Sequence, residues 1–285
     1  MWIQKRTCKD TMTKIIAEIG INHNGSENHA RKLIDQAHRS GCHAVKFQKR
    51  NPDLCVPEDQ KNKIRETPWG EMTYLEYKWK IEFSVEQYQN LRDYTKMLGM
   101  DFIVSCWDEQ SIDDIELNVE VDYHKVASAL ATDISFLKKL AATGKPTILS
   151  TGMCTPEQVD AAVVALGDSL KYILACTSTY PSAVDELNLK YIHTLKDKYP
   201  HIKAGFSNHH SGFVACLGAT ALGSECVEFH ITDSRIQFGT DQAASIEHSE
   251  ELVRQINFLT RMLGDGVKKV YDSEIPIMKK LRNNG

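Results

Sequence analysis

Two histidines and two lysines stand where their chemistry needs a reason. His209 follows an apolar run in Phe206-Ser-Asn-His-His210, and His230 ends one in Val227-Glu-Phe-His-Ile231. Imidazoles brought together at the ends of neighbouring runs can ligate a divalent metal while leaving positions open to substrate. The competing reading is a pair of hydrogen-bonded rim histidines with no metal. His210, His23 and His43 are weaker candidates, because each has a packing or capping use. Lys46, in Ala44-Val-Lys-Phe-Gln48, and Lys125, in Tyr123-His-Lys-Val-Ala127, lie in sequence that otherwise reads as core. A buried ammonium is costly unless paired. Each lysine therefore meets an anion, either Glu18 or a bound phosphate or carboxylate. Hydroxyls at Ser128, Ser150, Thr151, Thr177 and Ser207 favour a ligand carrying both anionic groups; a structural salt bridge is the alternative. On the ligand reading, replacing either lysine with methionine should destabilise the empty protein little, or even stabilise it.

The elements that must position these residues follow from the apolar pattern. Eight short runs recur: Ile15–Ile19, His43–Phe47, Asp101–Cys106, Tyr123–Ala127, Pro146–Leu149, Lys171–Cys176, Lys203–Phe206 and Glu225–Phe229. At or just past their ends stand Glu18, Lys46, Gln48, Trp107, Asp108, Lys125, Ser128, Ser150, Thr151, Thr177, Tyr180, Ser207, His209 and His230. Between the runs the periodicity is helical, as at Ala30, Leu33, Ile34 and Ala37. Helices are expected from Ser26 to Gly41 and near 84–98, 109–117, 133–143, 155–166, 187–199, 210–222 and 246–263. Ser84 with Gln87 reads as a capping box, and Thr155-Pro156 as a helix start. That rhythm predicts an α/β fold, an eight-fold (β/α)8 TIM barrel, whose strand C-termini converge on one catalytic face.

The chain has 285 residues, the size of one such barrel, so 1–285 reads as a single domain. Residues 1–14 are expected to cover the barrel bottom, and the tail 265–285 to fold as a short helix over the barrel. An excursion over 49–83 holds Trp69, Tyr74, Tyr77 and Trp79. Loops of this length on a catalytic face are usually functional. Its aromatics either pack the segment onto the barrel or form a lid over substrate. A net charge of −4 with dispersed lysines and arginines excludes a nucleic-acid partner. No apolar stretch reaches membrane-spanning length, and the N-terminus lacks the apolar core of a signal peptide. Eight cysteines without a CxxC pair read as buried thiols in a reducing compartment. A cytoplasmic protein is expected.

Six stretches stand in order: Ala17-Glu-Ile-Gly-Ile-Asn-His-Asn-Gly25, Ala44-Val-Lys-Phe-Gln48, Ile148-Leu-Ser-Thr-Gly-Met153, Thr177-Ser-Thr-Tyr-Pro181, Gly205-Phe-Ser-Asn-His209 and Glu228-Phe-His-Ile-Thr232. Together they resemble the sialic acid (N-acetylneuraminate) synthase family. The match runs in order from about residue 14 to 265. The resemblance implies a transferase (a synthase) of carbohydrate biosynthesis. It would condense phosphoenolpyruvate with an aldose or N-acyl-hexosamine to give a 2-keto-3-deoxy sugar acid and phosphate. It implies catalytic roles for Glu18, Lys46, Lys125, Tyr180 and Asp241, and substrate binding by Gln48, Ser128, Ser150, Thr177, Ser207 and Asn208. It implies a divalent metal on His209 and His230, manganese first, with magnesium or cobalt as alternatives. A homodimer is the expected assembly.

The chain departs from the family pattern in places. Leu130 stands where an acidic residue is usual, Ser178 where an asparagine is, and Asn208 where an aspartate often precedes the first metal histidine. The chain reads as the catalytic barrel alone, without the antifreeze-like C-terminal domain of typical members. An altered acceptor site follows, with Leu130 as an apolar wall and the 49–83 excursion closing it. The acceptor would be a deoxy, neutral or phosphorylated aldose. Two other readings use the same residues: a metal-dependent aldolase or isomerase on this fold, or a non-catalytic relative that binds sugar acids.

Overall fold

The computed structural model describes residues 13–282. The expected N-terminal cover falls outside these, apart from Thr13 and Lys14. Eight barrel strands follow the sequence runs within a residue or two: β1 (Lys14–Gly20), β2 (Ala44–Lys49), β3 (Asp101–Cys106), β4 (Tyr123–Val126), β5 (Thr147–Ser150), β6 (Leu170–Cys176), β7 (Lys203–Asn208) and β8 (Cys226–His230). Every barrel pairing is parallel, and β8 returns to β1 to close the barrel. Burial on both faces explains why the strands read as apolar runs rather than alternating ones.

The helices are α1 (Glu27–Ser40), α2 (Val85–Met97), α3 (Glu109–Asn118), α4 (Ile134–Ala142), α5 (Pro156–Leu166), α6 (Tyr191–Lys198), α7 (Val214–Ala221) and α8 (Ser249–Leu263). Local signals start the first five. Ser26 caps α1, the Ser84/Gln87 box caps α2, Asp108 caps α3, Asp133 caps α4, and the Thr155/Gln158 box caps α5. The last three begin three or four residues later than their periodicity suggests. The catalytic-face loops take those residues. Ile246 stays extended, its N–H donating to His230 O at 2.8 Å, and His210 Nδ1 pairs with Ser182 O at 2.8 Å.

Strand alternation stacks the barrel interior in layers. Ile16, Ala44, Ile103, Tyr123, Ile148, Tyr172, Leu174 and Cys226 form an apolar floor. Two residues further along each strand stand Glu18, Lys46, Ser105, Lys125, Ser150, Cys176, Ser207 and Glu228. The interior thus changes from hydrocarbon to charge in one step towards the catalytic face. The main core lies outside, between sheet and helices.

The 49–83 excursion has its own structure. Two single-turn helices, Pro52–Cys55 and Glu58–Lys61, lead to a hairpin of Ile64–Thr67 and Gly70–Thr73, then to the helix Tyr74–Ile81. Tyr77 and Ile81 are buried with Ile21, and Phe238 meets Trp69 and Tyr77 edge-on. Trp79 points outward, 47% exposed. The tail does form a helix, Ile275–Leu281, but it does not cover the barrel. Val267, Val270, Tyr271, Ile277 and Leu281 are all exposed.

Candidate active site

The polar layer lines a cavity opening at the strand C-termini. Four charges sit at its base. Lys46 Nζ lies 2.8 Å from Glu18 Oε2, and Lys125 Nζ lies 3.4 Å from Glu228 Oε1. Lys125 also donates to Ser150 Oγ at 2.7 Å, and Ser207 Oγ donates to Glu228 at 2.9 Å. All four charged side chains are almost wholly buried. Burial resists charge on Lys46, but Glu18 and Glu228 overcome it and hold the ammonium above its ordinary range. For Lys125, burial and the like charge of Lys46 prevail, and its pKa falls. Burial would raise the Glu228 pKa, yet Lys125 and Lys46 keep the carboxyl below its usual range.

This arrangement overturns the expectation that methionine at Lys46 or Lys125 destabilises the empty protein little. Each lysine already neutralises a buried carboxylate, so removing it strands that carboxylate.

Gly152 belongs to this layer. A Cβ there would come within 2.2 Å of Ser178 Oγ, 2.8 Å of Ser128 Oγ and 3.3 Å of Cys176 Sγ. Its N–H donates to Ser128 Oγ at 3.0 Å. Backbone and hydroxyls can approach so closely only because the side chain is missing. Ser105 Oγ and Trp107 Nε1 also line the cavity, buried and without a hydrogen-bond partner among the described residues.

The rim carries the histidines. Their ring centroids are 5.3 Å apart. His209 Nδ1 faces Thr177 O at 2.8 Å, which leaves Nε2 as its lone-pair nitrogen, now accepting from Tyr180 Oη at 3.0 Å. Burial lowers the His230 pKa and favours the neutral ring. Its Nδ1 is buried without a hydrogen-bond partner, 3.6 Å from Asp241 Oδ2. Among the described residues no three His, Cys, Asp or Glu side chains form a ready-made cage. The two imidazoles with a nearby carboxylate nevertheless suit an open-sided divalent site, and the orphaned His230 nitrogen is the atom such an ion would satisfy. Cys176 Sγ lies 3.7 Å from His209 Nδ1. Burial would raise this thiol, but His209, with Ser128 and Lys125, brings it down to about 7.

A second, larger cavity opens beyond the first and shares Gln48, Trp107 and Tyr180 with it. Asp241 lies on its wall beside Gln48, and Gln48 Nε2 donates to Glu18 Oε1 at 2.7 Å. The excursion contributes Arg50, Pro52, Cys55, Val56, Pro57, Tyr74 and Lys78. Its aromatics therefore pack it in place, and the packed segment walls the site.

Residues 33–268 match the model of the NeuB family. The chain belongs to the NeuB family. It is 35% identical over 279 residues to the N-acetylneuraminate-9-phosphate synthase of Homo sapiens, covering 94% of this chain and 76% of that protein. It is 34% identical to the N,N'-diacetyllegionaminic acid synthase of Legionella pneumophila, covering 95% and 78%. Among solved structures it is similar to N-acetylneuraminic acid (sialic acid) synthetase from Leptospira borgpetersenii, crystallised with citrate. The TM-score there is 0.82 at 28% identity, over 95% of this chain and 93% of that one.

Most site residues read from the sequence of this NeuB member converge. Glu18, Lys46, Gln48, Lys125, Ser128, Ser150, Tyr180, Ser207, His209 and His230 line the inner cavity, and Asp241 the outer. Three do not line either. Thr177 turns outward, its hydroxyl donating to Glu186 O at 2.8 Å; its carbonyl orients His209 instead. Asn208 is buried in a local turn, its side chain bonded to the backbone of His210. Leu130 packs against the main core rather than walling the acceptor site. Missed as functional were Glu228, Arg50 and Lys78. Glu228 had a legible signal: it precedes His230 by two residues on one strand, so both face the barrel interior.

Proposed function

We propose that this NeuB protein joins phosphoenolpyruvate to an open-chain sugar aldehyde, forming a 2-keto-3-deoxy sugar acid and inorganic phosphate. One observation carries the reading: a buried Lys–Glu layer with clustered hydroxyls lies directly below a histidine rim, and that rim opens into a larger cavity. Phosphoenolpyruvate, small and multiply anionic, fits the inner chamber. Lys46 and Lys125 would neutralise its phosphate and carboxylate, with Ser128, Ser150 and Ser207 as further partners. Charged hydrogen bonds of this kind are about twice as strong as neutral ones.

The aldehyde would enter from the outer cavity, between Tyr180 and Asp241. His209 and His230 would hold a divalent ion, manganese first and magnesium or cobalt as alternatives. When bound, that ion supplies Lewis-acid polarisation of the acceptor carbonyl. The chain's own residues set the geometry. Holding C3 of phosphoenolpyruvate against the aldehyde carbon is worth roughly 7–11 kcal/mol as effective molarity. The C3–C1 bond forms, water adds at C2, and the C2–O bond to phosphorus breaks, sending phosphate away with the electron pair. Glu18, in the inner chamber and bonded to Gln48 at the junction of the two, would take the water proton. Asp241, on the acceptor side, would hold the new hydroxyl.

The test is phosphate release from phosphoenolpyruvate with a panel of aldoses and N-acetylated hexosamines, in water enriched in oxygen-18. Label in the sugar acid and not in the phosphate is expected. Cleavage or isomerisation of sugars without phosphate release would make the protein an aldolase or isomerase. Binding of a sugar acid with no turnover would make it a non-catalytic relative.

A further inference from the structure

The outer cavity has a charge that nothing in the protein answers. The buried lysines all have carboxylate partners: Lys46 has Glu18, Lys125 has Glu228, and Lys49 has Glu82 at 3.1 Å. Arg50 and Lys78 have none within ion-pair distance among the described residues, although both are half-buried on the cavity wall. Arg50 lays its guanidinium over the Trp107 ring, 4.1 Å from the centroid, and donates to Gln48. A guanidinium carries five N–H donors, so most remain to be used. Lys78 Nζ stands 5.2 Å from the Tyr74 ring centroid and 5.5 Å from that of Tyr77.

The two cations also oppose one another. Burial comes first in lowering the Lys78 ammonium to about 8, with Arg50 and Arg65 adding to it against Asp241 and Glu82. Asp241 is the sole carboxylate lining this cavity among the described residues, and it is drawn to His230 at the rim. A wall with two unanswered, half-desolvated cations costs stability when empty. An anion placed between them removes that cost, and Arg beside Lys is the donor set suited to phosphate or carboxylate oxygens.

We infer that the acceptor is an aldose carrying an anionic group remote from its aldehyde, a phosphate ester or a carboxylate held by Arg50 and Lys78. This deepens the condensation reading and rests on it for the word acceptor. The aldehyde points to Tyr180 and Asp241 while the charged end meets the excursion. Gln48 joins the two ends, since it accepts from Arg50 and donates to Glu18. Among the acceptor chemistries open to such a barrel, a neutral deoxy sugar would leave both cations without a partner.

Calorimetric titration of the intact protein separates this inference from the condensation reading. The probes are mannose against mannose 6-phosphate and mannuronate, and N-acetylmannosamine against its 6-phosphate, each in the presence of phosphoenolpyruvate. An anionic sugar should bind at least about tenfold tighter than its neutral partner, the scale of one charge-assisted contact. Whether phosphate or carboxylate gains more identifies the group. Lys78→Gln and Arg50→Gln should each bring that ratio towards one, and Lys78→Arg should restore it. Equal binding of neutral and anionic partners in every pair, or a preference untouched by both glutamine variants, overturns the inference. Tight anionic binding without phosphate release would instead sink the condensation reading and leave the anion site standing.

Discussion

Lys125→Met probes the charge layer most directly. Glu228 is 4% exposed, and its Oε1 lies 3.4 Å from the Lys125 ammonium. Deleting one partner of a buried pair costs about 3–5 kcal/mol, because the other charge is left uncompensated. For 285 residues, an unfolding entropy near 2.1 cal/mol/K per residue turns that into a fall of roughly 5–8 °C in thermal midpoint at pH 8. The sign with pH follows from Glu228. In the native protein its carboxyl is held below the unfolded value, so it stabilises above about pH 4.3 and that contribution is lost as pH falls further. Without Lys125 burial raises the same carboxyl, so the penalty grows from pH 4 towards neutrality and is small in acid. Adding Glu228→Gln should recover most of the loss at pH 8, since a neutral amide replaces the stranded charge. Thermal melts across pH for both single variants and the double variant complete the cycle. A Lys125→Met protein as stable as the parent at pH 8, with no recovery in the double variant, would refute the ion-pair account. Calorimetry on the same proteins should show phosphoenolpyruvate affinity lost in the single and the double variant alike, because both lack the ammonium.

Three further outcomes are expected. His209→Ala and His230→Ala should each abolish stoichiometric manganese, read by elemental analysis after gel filtration, while the thermal midpoint moves little on chelation because the barrel does not depend on the ion; manganese bound elsewhere in a crystal would contradict this. Affinity for a phosphorylated aldose should be steady from pH 6.5 to 7.5 and fall as pH rises through about 8, where Lys78 loses its proton, and Lys78→Arg should flatten that fall. Gly152→Ala should cost about 1–3 kcal/mol of stability through overpacking against Ser178 and Ser128 and weaken phosphoenolpyruvate binding, both measurable by melt and titration.

The strands, most helix starts and the inner ring of the site were legible in the sequence because they are set locally. A parallel strand buried on both faces must be apolar, and a helix start must satisfy its own N–H groups, so runs and caps mark both. Strand alternation carries further than residue type alone. Cys176, Ser207, His209, Glu228 and His230 share the inward parity, whereas Thr177 and Asn208 have the outward one. Residue type pointed to Thr177 and the family resemblance to Asn208; parity excludes both and admits Glu228. Beyond the strand ends that rule stops, and only the tertiary structure decides. Leu130 turns into the core because the short helix Ser128–Leu130 directs it there. Asp241 reaches His230 through the irregular loop that follows β8, and Arg50 and Lys78 meet only because the excursion folds back through Tyr77 and Phe238. Pairings of this kind depend on long-range packing, which no local pattern of residues encodes.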